Sequence, residues 1–187
     1  MQRRHILPAL LALMAPAPGL AQTAQLSADV IDRPPARRVF ASPSGRFVLS
    51  LTVAAHGQTS KAEAELVEVF ADRRVGRWQL PLPHEWGPRT AVVSDRGAVL
   101  LVDEWINVVP RHALMVIGSD GRTIADDSGE QVFSRLEVPR ARISEHARAG
   151  IWRSSDPVLA EDGNSVVIRA AGRVVTVSLA DGHLDVD

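Results

Sequence analysis

From residue 39 onward the chain alternates apolar and polar positions in short runs separated by turn residues. "SPSGRFVLSLTV" opens with a Pro-Ser-Gly turn, after which Phe47, Leu49, Leu51 and Val53 fall on one face and Val48, Ser50 and Thr52 on the other. That period of two predicts a strand. "KAEAELVEVF" is compositionally suited to a helix, but Leu66 to Phe70 also suits a strand. A turn at Asp72 to Arg74 and a strand from Val75 to Leu80 follow so closely that a hairpin is the better reading. In "VSDRGAVLLVDEW", Ser94 to Gly97 form a turn and Val99 to Val102 an unbroken apolar run, the pattern of a strand covered on both faces. "HALMVIGSDGRTIADD" reads as a hairpin, Ala113 to Ile117 and Arg122 to Ala125, turning on Asp120-Gly121.

Residues 128–150, "SGEQVFSRLEVPRARISEHARAG", interrupt the alternation with mixed charge and a proline at 139. They predict a helical excursion or long loop. The remainder returns to strands, with turns at Asp162-Gly163, Ala171-Gly172 and Asp181-Gly182. Val175, Val177 and Leu179 form one face of the most regular strand, and Val174, Thr176 and Ser178 the other. The predicted class is all-β, built of repeated antiparallel sheets with one short helical insertion.

A turn-glycine followed by a strand recurs in "SPSGRFVLSL", "VSDRGAVLLV" and "LAEDGNSVVI", with Gly45, Gly97 and Gly163 spaced by 52 and 66 residues. Each interval holds about four short strands, a repeat of antiparallel sheets. Ser42, Pro43, Gly45 and Arg46 resemble the turn of TolB-type and WD-repeat β-propeller blades; in the second copy Asp95 replaces the proline. The closing "VSLADGHL" is similar to a blade's last strand and turn, and the whole is similar to exported bacterial proteins of this β-rich type. The resemblance implies a propeller-like arrangement, yet propellers use four to eight blades. Three architectures therefore stay open: a minimal propeller, part of one completed by another chain, or a stack of sheets made from the same hairpins.

The amino terminus carries Arg3 and Arg4, an apolar run from Ile6 to Met14, and a small-residue exit ending at Ala21. This is the layout of a secretory signal peptide over 1–21. The run is too short and proline-broken for the roughly 20 apolar residues that a span requires. Export to the periplasm or the extracellular space is the expectation, with residues 22–38 a linker or arm, and 39–187 one domain. The formal charge of -1 becomes -3 once Arg3 and Arg4 are removed, which gives no global attraction for nucleic acid. The chain has no cysteine, so thiol catalysis, cysteine metal sites and disulfides are excluded.

Asp103-Glu104-Trp105 is the most conspicuous chemical motif. Strand neighbours point to opposite faces, so these two carboxylates do not converge on one substrate. They are expected to end a buried strand and turn outward to water, with Trp105 over the sheet edge. His84-Glu85-Trp86 lies among prolines, and Pro88 occupies the place of the second histidine of a zinc-protease helix. The other mature histidines, His56, His112, His146 and His183, have no metal-ligand spacing, and no metal or cofactor is expected. No nucleophile elbow or phosphate loop occurs. "DDSGE" at 126–130 reads as a solvated turn. The five arginines from Arg135 to Arg153 read as an exposed helix with internal ion pairs, or as a docking face for an acidic partner. Trp78, Trp105 and Trp152 are expected at strand ends.

The leading functional expectation is a non-enzymatic binding module whose loops, with Trp86, His84, Trp105 and Arg111, contact a protein, peptide or glycan. A hydrolase assembled from Asp103, Glu104, His84 and His112 is the second. A domain completing a homo- or hetero-oligomer through an open sheet edge is the third.

Overall fold

The computed structural model describes residues 34–53, 62–106 and 108–187. The signal-peptide segment, most of the arm, His56 and Lys61 lie outside them. Twelve strands and two helices follow one another as β1 (Arg37–Ala41), β2 (Phe47–Thr52), β3 (Glu63–Val69), β4 (Arg74–Pro81), β5 (Pro88–Val93), β6 (Val99–Glu104), β7 (Leu114–Ile117), β8 (Thr123–Asp127), α1 (Gly129–Leu136), α2 (Arg140–His146), β9 (Val158–Leu159), β10 (Ser165–Ala170), β11 (Arg173–Ser178) and β12 (Leu184–Val186). The expected all-β class with a short helical insertion is what is found. The ambiguous stretch is the strand β3, and β1 begins at Arg37, within the stretch read as an arm.

The strands form three four-stranded antiparallel meanders, β1–β4, β5–β8 and β9–β12, each taken in chain order. The first strands of the three sheets, β1, β5 and β9, lie side by side. The central sheet is a filling between the other two. Val99 and Leu101 pack with Leu49, Leu51 and Leu66 of the first sheet. Leu100 and Val102 pack instead with Val166, Ile168 and Val175 of the last sheet, and with Val132, Leu136 and Ile143 of the helices. The unbroken apolar run is thereby explained: consecutive residues of β6 serve different cores.

Each sheet presents a cross-strand row to the sheet that follows. In the first sheet it is Phe40, Leu49, Leu66 and Trp78. In the central sheet it is Val92, Leu100, Val116 and Ala125. The turn of the following sheet closes over the last member of each row, and there a glycine is required. A Cβ on Gly121 would lie 2.9 Å from the Trp78 Cβ, and one on Gly182 would overlap the Ala125 Cβ. Both glycines also have positive φ, 83° and 74°.

The turns that open the three repeats lie at one end of the stack and are tied to one another. Asp95 Oδ1 accepts from Ser44 N at 2.9 Å and from Ser44 Oγ at 2.5 Å, joining the first and second repeated turns. Arg96 donates to Asn164 Oδ1, joining the second and third. The aspartate that replaces the proline in the second repeat is thus a linking residue, and hydrogen bonding from Ser42 and Ser44 lowers its pKa.

Helix α1 starts at a capping box: Ser128 Oγ accepts from Gln131 N while Gln131 Oε1 accepts from Ser128 N at 2.7 Å. The stretch read as a solvated turn is therefore the end of β8 and the cap of a helix.

Substituting Gly182→Ala is expected to cost about 2–4 kcal/mol, since strained φ and overpacking add. Gly45→Ala, with φ 73° but open space around the site, should cost only about 1–2 kcal/mol. Urea unfolding of both variants separates the steric contribution from the backbone one.

Candidate functional site

The sequence-predicted candidates all lie at the opposite end of the stack, where the longer connections run. They do not form one site. Asp103 is drawn to the side of the last sheet. Its backbone takes a left-handed conformation, φ 57°, and its N–H donates to Ala113 O at 2.8 Å. This break in alternation turns the carboxylate inward, where Oδ1 accepts from Trp152 Nε1 and Oδ2 from Arg153 Nε at 2.8 Å. The expectation that Asp103 faces water is overturned: it is 3% exposed, and its partner Arg153 is 1% exposed.

A fully buried arginine cannot shed its charge, so it dictates a counter-ion. Arg153 finds one in Asp103 and donates further to Ser155 O at 3.1 Å. Burial pushes the Asp103 carboxyl up, against the opposing pull of Arg153, Trp152 and Arg89. Gly150 makes room for the pair, since a Cβ there would sit 3.0 Å from Asp103 Oδ2. Trp152 belongs to the core between the central and last sheets rather than to a strand end, and Trp78 lies inside β4. Arg153 likewise is not part of an exposed arginine helix. In that run Arg135 pairs with Asp127 at 3.4 Å, and Arg140 pairs with Glu130.

Glu104 is half-buried, and its Oε2 accepts from Arg111 N at 3.4 Å. The cavity beside Asp103 and Glu104, bordered by Arg89, Ile106 and Gly150, measures about 10 Å³. That is room for one water molecule.

The histidines gather elsewhere. His84 is completely buried, its ring centroid 5.2 Å from that of His112. Neither His84 ring nitrogen has a hydrogen-bond partner. Burial, with His112 and Arg38 nearby, lowers its pKa to about 3, so it is neutral. His112 Nδ1 is instead 2.9 Å from both carboxylate oxygens of Asp126. Asp126 is paired across the strands with Met115, a residue of the core between the first and central sheets. Among the described residues no three His, Asp or Glu side chains are grouped so as to hold a metal ion.

Trp105 lies between two guanidinium groups, Arg38 at 5.0 Å and Arg89 at 5.8 Å from the ring centroid. Arg89 Nη2 donates to Trp105 O at 2.6 Å, and Arg38 Nη1 donates to Arg89 O at 2.9 Å. Arg38 Nε and Nη2 are buried without partners. Trp86 is half-buried and Arg111 exposed at this same end.

Sequence reasoning missed Arg153, Trp152, Arg38 and Arg89. A carboxylate closing a buried apolar run signals that a cation must meet it, but not which one across about fifty residues of chain. No protein-family model matches the sequence, and a search of curated proteins found no match.

Asp103→Asn leaves a buried charge unpaired and should cost about 3–5 kcal/mol. Adding Arg153→Met removes that charge and should recover part of the loss in urea unfolding at neutral pH. For His84, the unfolded chain takes up a proton at the ordinary 6.5 and the folded chain only at about 3. Its contribution to stability is therefore complete above 6.5 and falls as the pH drops towards 3, by up to about 1.4 kcal/mol per unit. Stability against pH for His84→Phe should lack this slope relative to the parent.

Proposed function

We propose that the chain is an exported, non-enzymatic binding module that takes a protein or peptide through the loop between β6 and β7. The observation that carries this is an apolar loop tip on a rigid base. Val108 is 54% and Val109 39% exposed, next to the half-buried Trp105 and Ile106. The base is fixed at both ends: Arg89 holds the Trp105 carbonyl, and the Pro110 carbonyl accepts from Gly129 N at 2.8 Å. A loop whose two ends are hydrogen-bonded and whose valines stand in water is suited to recognition. Trp105, Arg111 and Trp86 are the residue types that anchor interfaces.

The hydrolase reading draws less support. Asp103 is committed to Arg153 and Trp152, and His84 has no carboxylate at its ring. Export rests on the layout of residues 1–21, whose basic start, apolar run and small-residue exit are those of a cleaved leader.

A photo-crosslinking residue at Val108, introduced in cells that export the chain, tests the reading. It should give one defined adduct that Val109→Asp weakens, while the same probe at the exposed Ser134 on α1 gives none. Equal labelling from both positions would remove the loop from consideration. Turnover of an ester, peptide or glycoside substrate that His84→Gln abolishes would establish the hydrolase instead.

A further inference from the structure

Among the described residues, nothing covers the two outer faces of the stack. On the first sheet, Val48, Val67 and Val69 line a groove with Arg74, and Val39 beside them is 55% exposed. On the last sheet, the row equivalent to those that meet a following sheet is Val158, Val167, Thr176 and Asp185, with Val158 62% exposed. We propose that these faces cover one another in a second copy of this chain: the first sheet of each copy stacks on the last sheet of the other, closing a ring of six sheets.

The two junctions inside the chain set the pattern that a third must follow. In both, the β-turn of the following sheet closes over the last member of the preceding row, a glycine landing on Trp78 and on Ala125. In the last sheet that landing position is Asp185, followed by Asp187 on the same face of an exposed strand. The first sheet has no glycine in the corresponding turn, Phe70 to Arg73. The place of those glycines is taken by Asp72, followed by Arg73 and Arg74, all three exposed. A turn with one acidic and two basic residues would thus arrive where Asp185 and Asp187 lie.

The turns at the other edge of the junction agree. Within the chain, the residue before each glycine reaches the next turn: Ser44 to Asp95, then Arg96 to Asn164. In the last sheet that residue is Asp162, and the first sheet offers Arg46, which pairs with the buried Glu68 while its side chain stays 56% exposed. Further along the faces, Glu65 of the first sheet and Arg169 of the last are again of opposite charge.

The number of copies follows from the sheet count. A head-to-tail contact closes into a ring only when its rotation allows, and rings of such sheets hold four to eight. Three sheets per chain make one copy too few and three copies too many, so the ring takes two.

Light scattering on the purified chain should give twice the mass of one chain. Arg74→Glu alone, and Asp185→Arg with Asp187→Arg, each set like charges against each other and should weaken the dimer more than about tenfold. An equimolar mixture of these two variants should dimerise again, because one junction is then native and the other has its charges reversed. Restoration in the mixture distinguishes head-to-tail closure from pairing of two identical faces. All three positions are exposed, circular dichroism verifies the fold, and Val39→Arg supplies an independent disruption of the same face. A parent that runs as one chain, as three or as an open series would overturn the proposal. So would a dimer that survives every substitution, or a mixture that stays monomeric.

Discussion

Strands β6 and β7 of the central sheet have both faces buried, and most of the architecture follows from that one condition. A strand such as β6 that satisfies two cores at once leaves no face for water, so every polar group at its ends must be dealt with locally. Val99 and Leu101 look to the first sheet, Leu100 and Val102 to the last. The flanking sheets then have only one buried face each, and strands such as β3 and β10 carry the alternation that β6 lacks. Close stacking also fixes where side chains must vanish: Gly121 and Gly182 stand where a turn closes over its neighbour.

The same condition accounts for the ionic centre. Where β6 leaves the sandwich, Asp103 abandons the strand conformation and binds Arg153 and Trp152, tying the end of the central sheet to the segment that leads into the last one. A pair of this kind gains little net energy over apolar packing, but either member alone is costly in the interior. Its consequence is geometric. The carboxylate that stands out in the sequence becomes a fastening, and beyond it the Trp105 and Pro110 carbonyls are both hydrogen-bonded while Val108 and Val109 stand outward. His84 tells a similar story: a histidine between prolines that resembles a catalytic residue is buried and neutral, beside His112 but bonded to no carboxylate.

The sequence by itself determined the class, the four-strand rhythm and the place of the insertion. Period-two alternation, turn glycines and aspartates are local physics, set by backbone sterics within a few residues. Even the two-sided burial of β6 was legible, because four consecutive apolar residues admit few other strand environments. The composition likewise excluded thiol chemistry before any fold was considered.

What only the tertiary structure decided is which side chains meet. Asp103 and Arg153 are separated by fifty residues, and nothing local to either names the other. Their pairing depends on the last sheet being packed against the central one, which brings Gly150 and Trp152 to the end of β6. The direction of the Asp103 side chain, inward rather than to water, likewise turns on one positive φ that no period of two predicts. His84 and His112 meet because two separate connections end at the same rim. Alternation is a property of one strand; convergence is a property of how strands are stacked, and only the stack contains it.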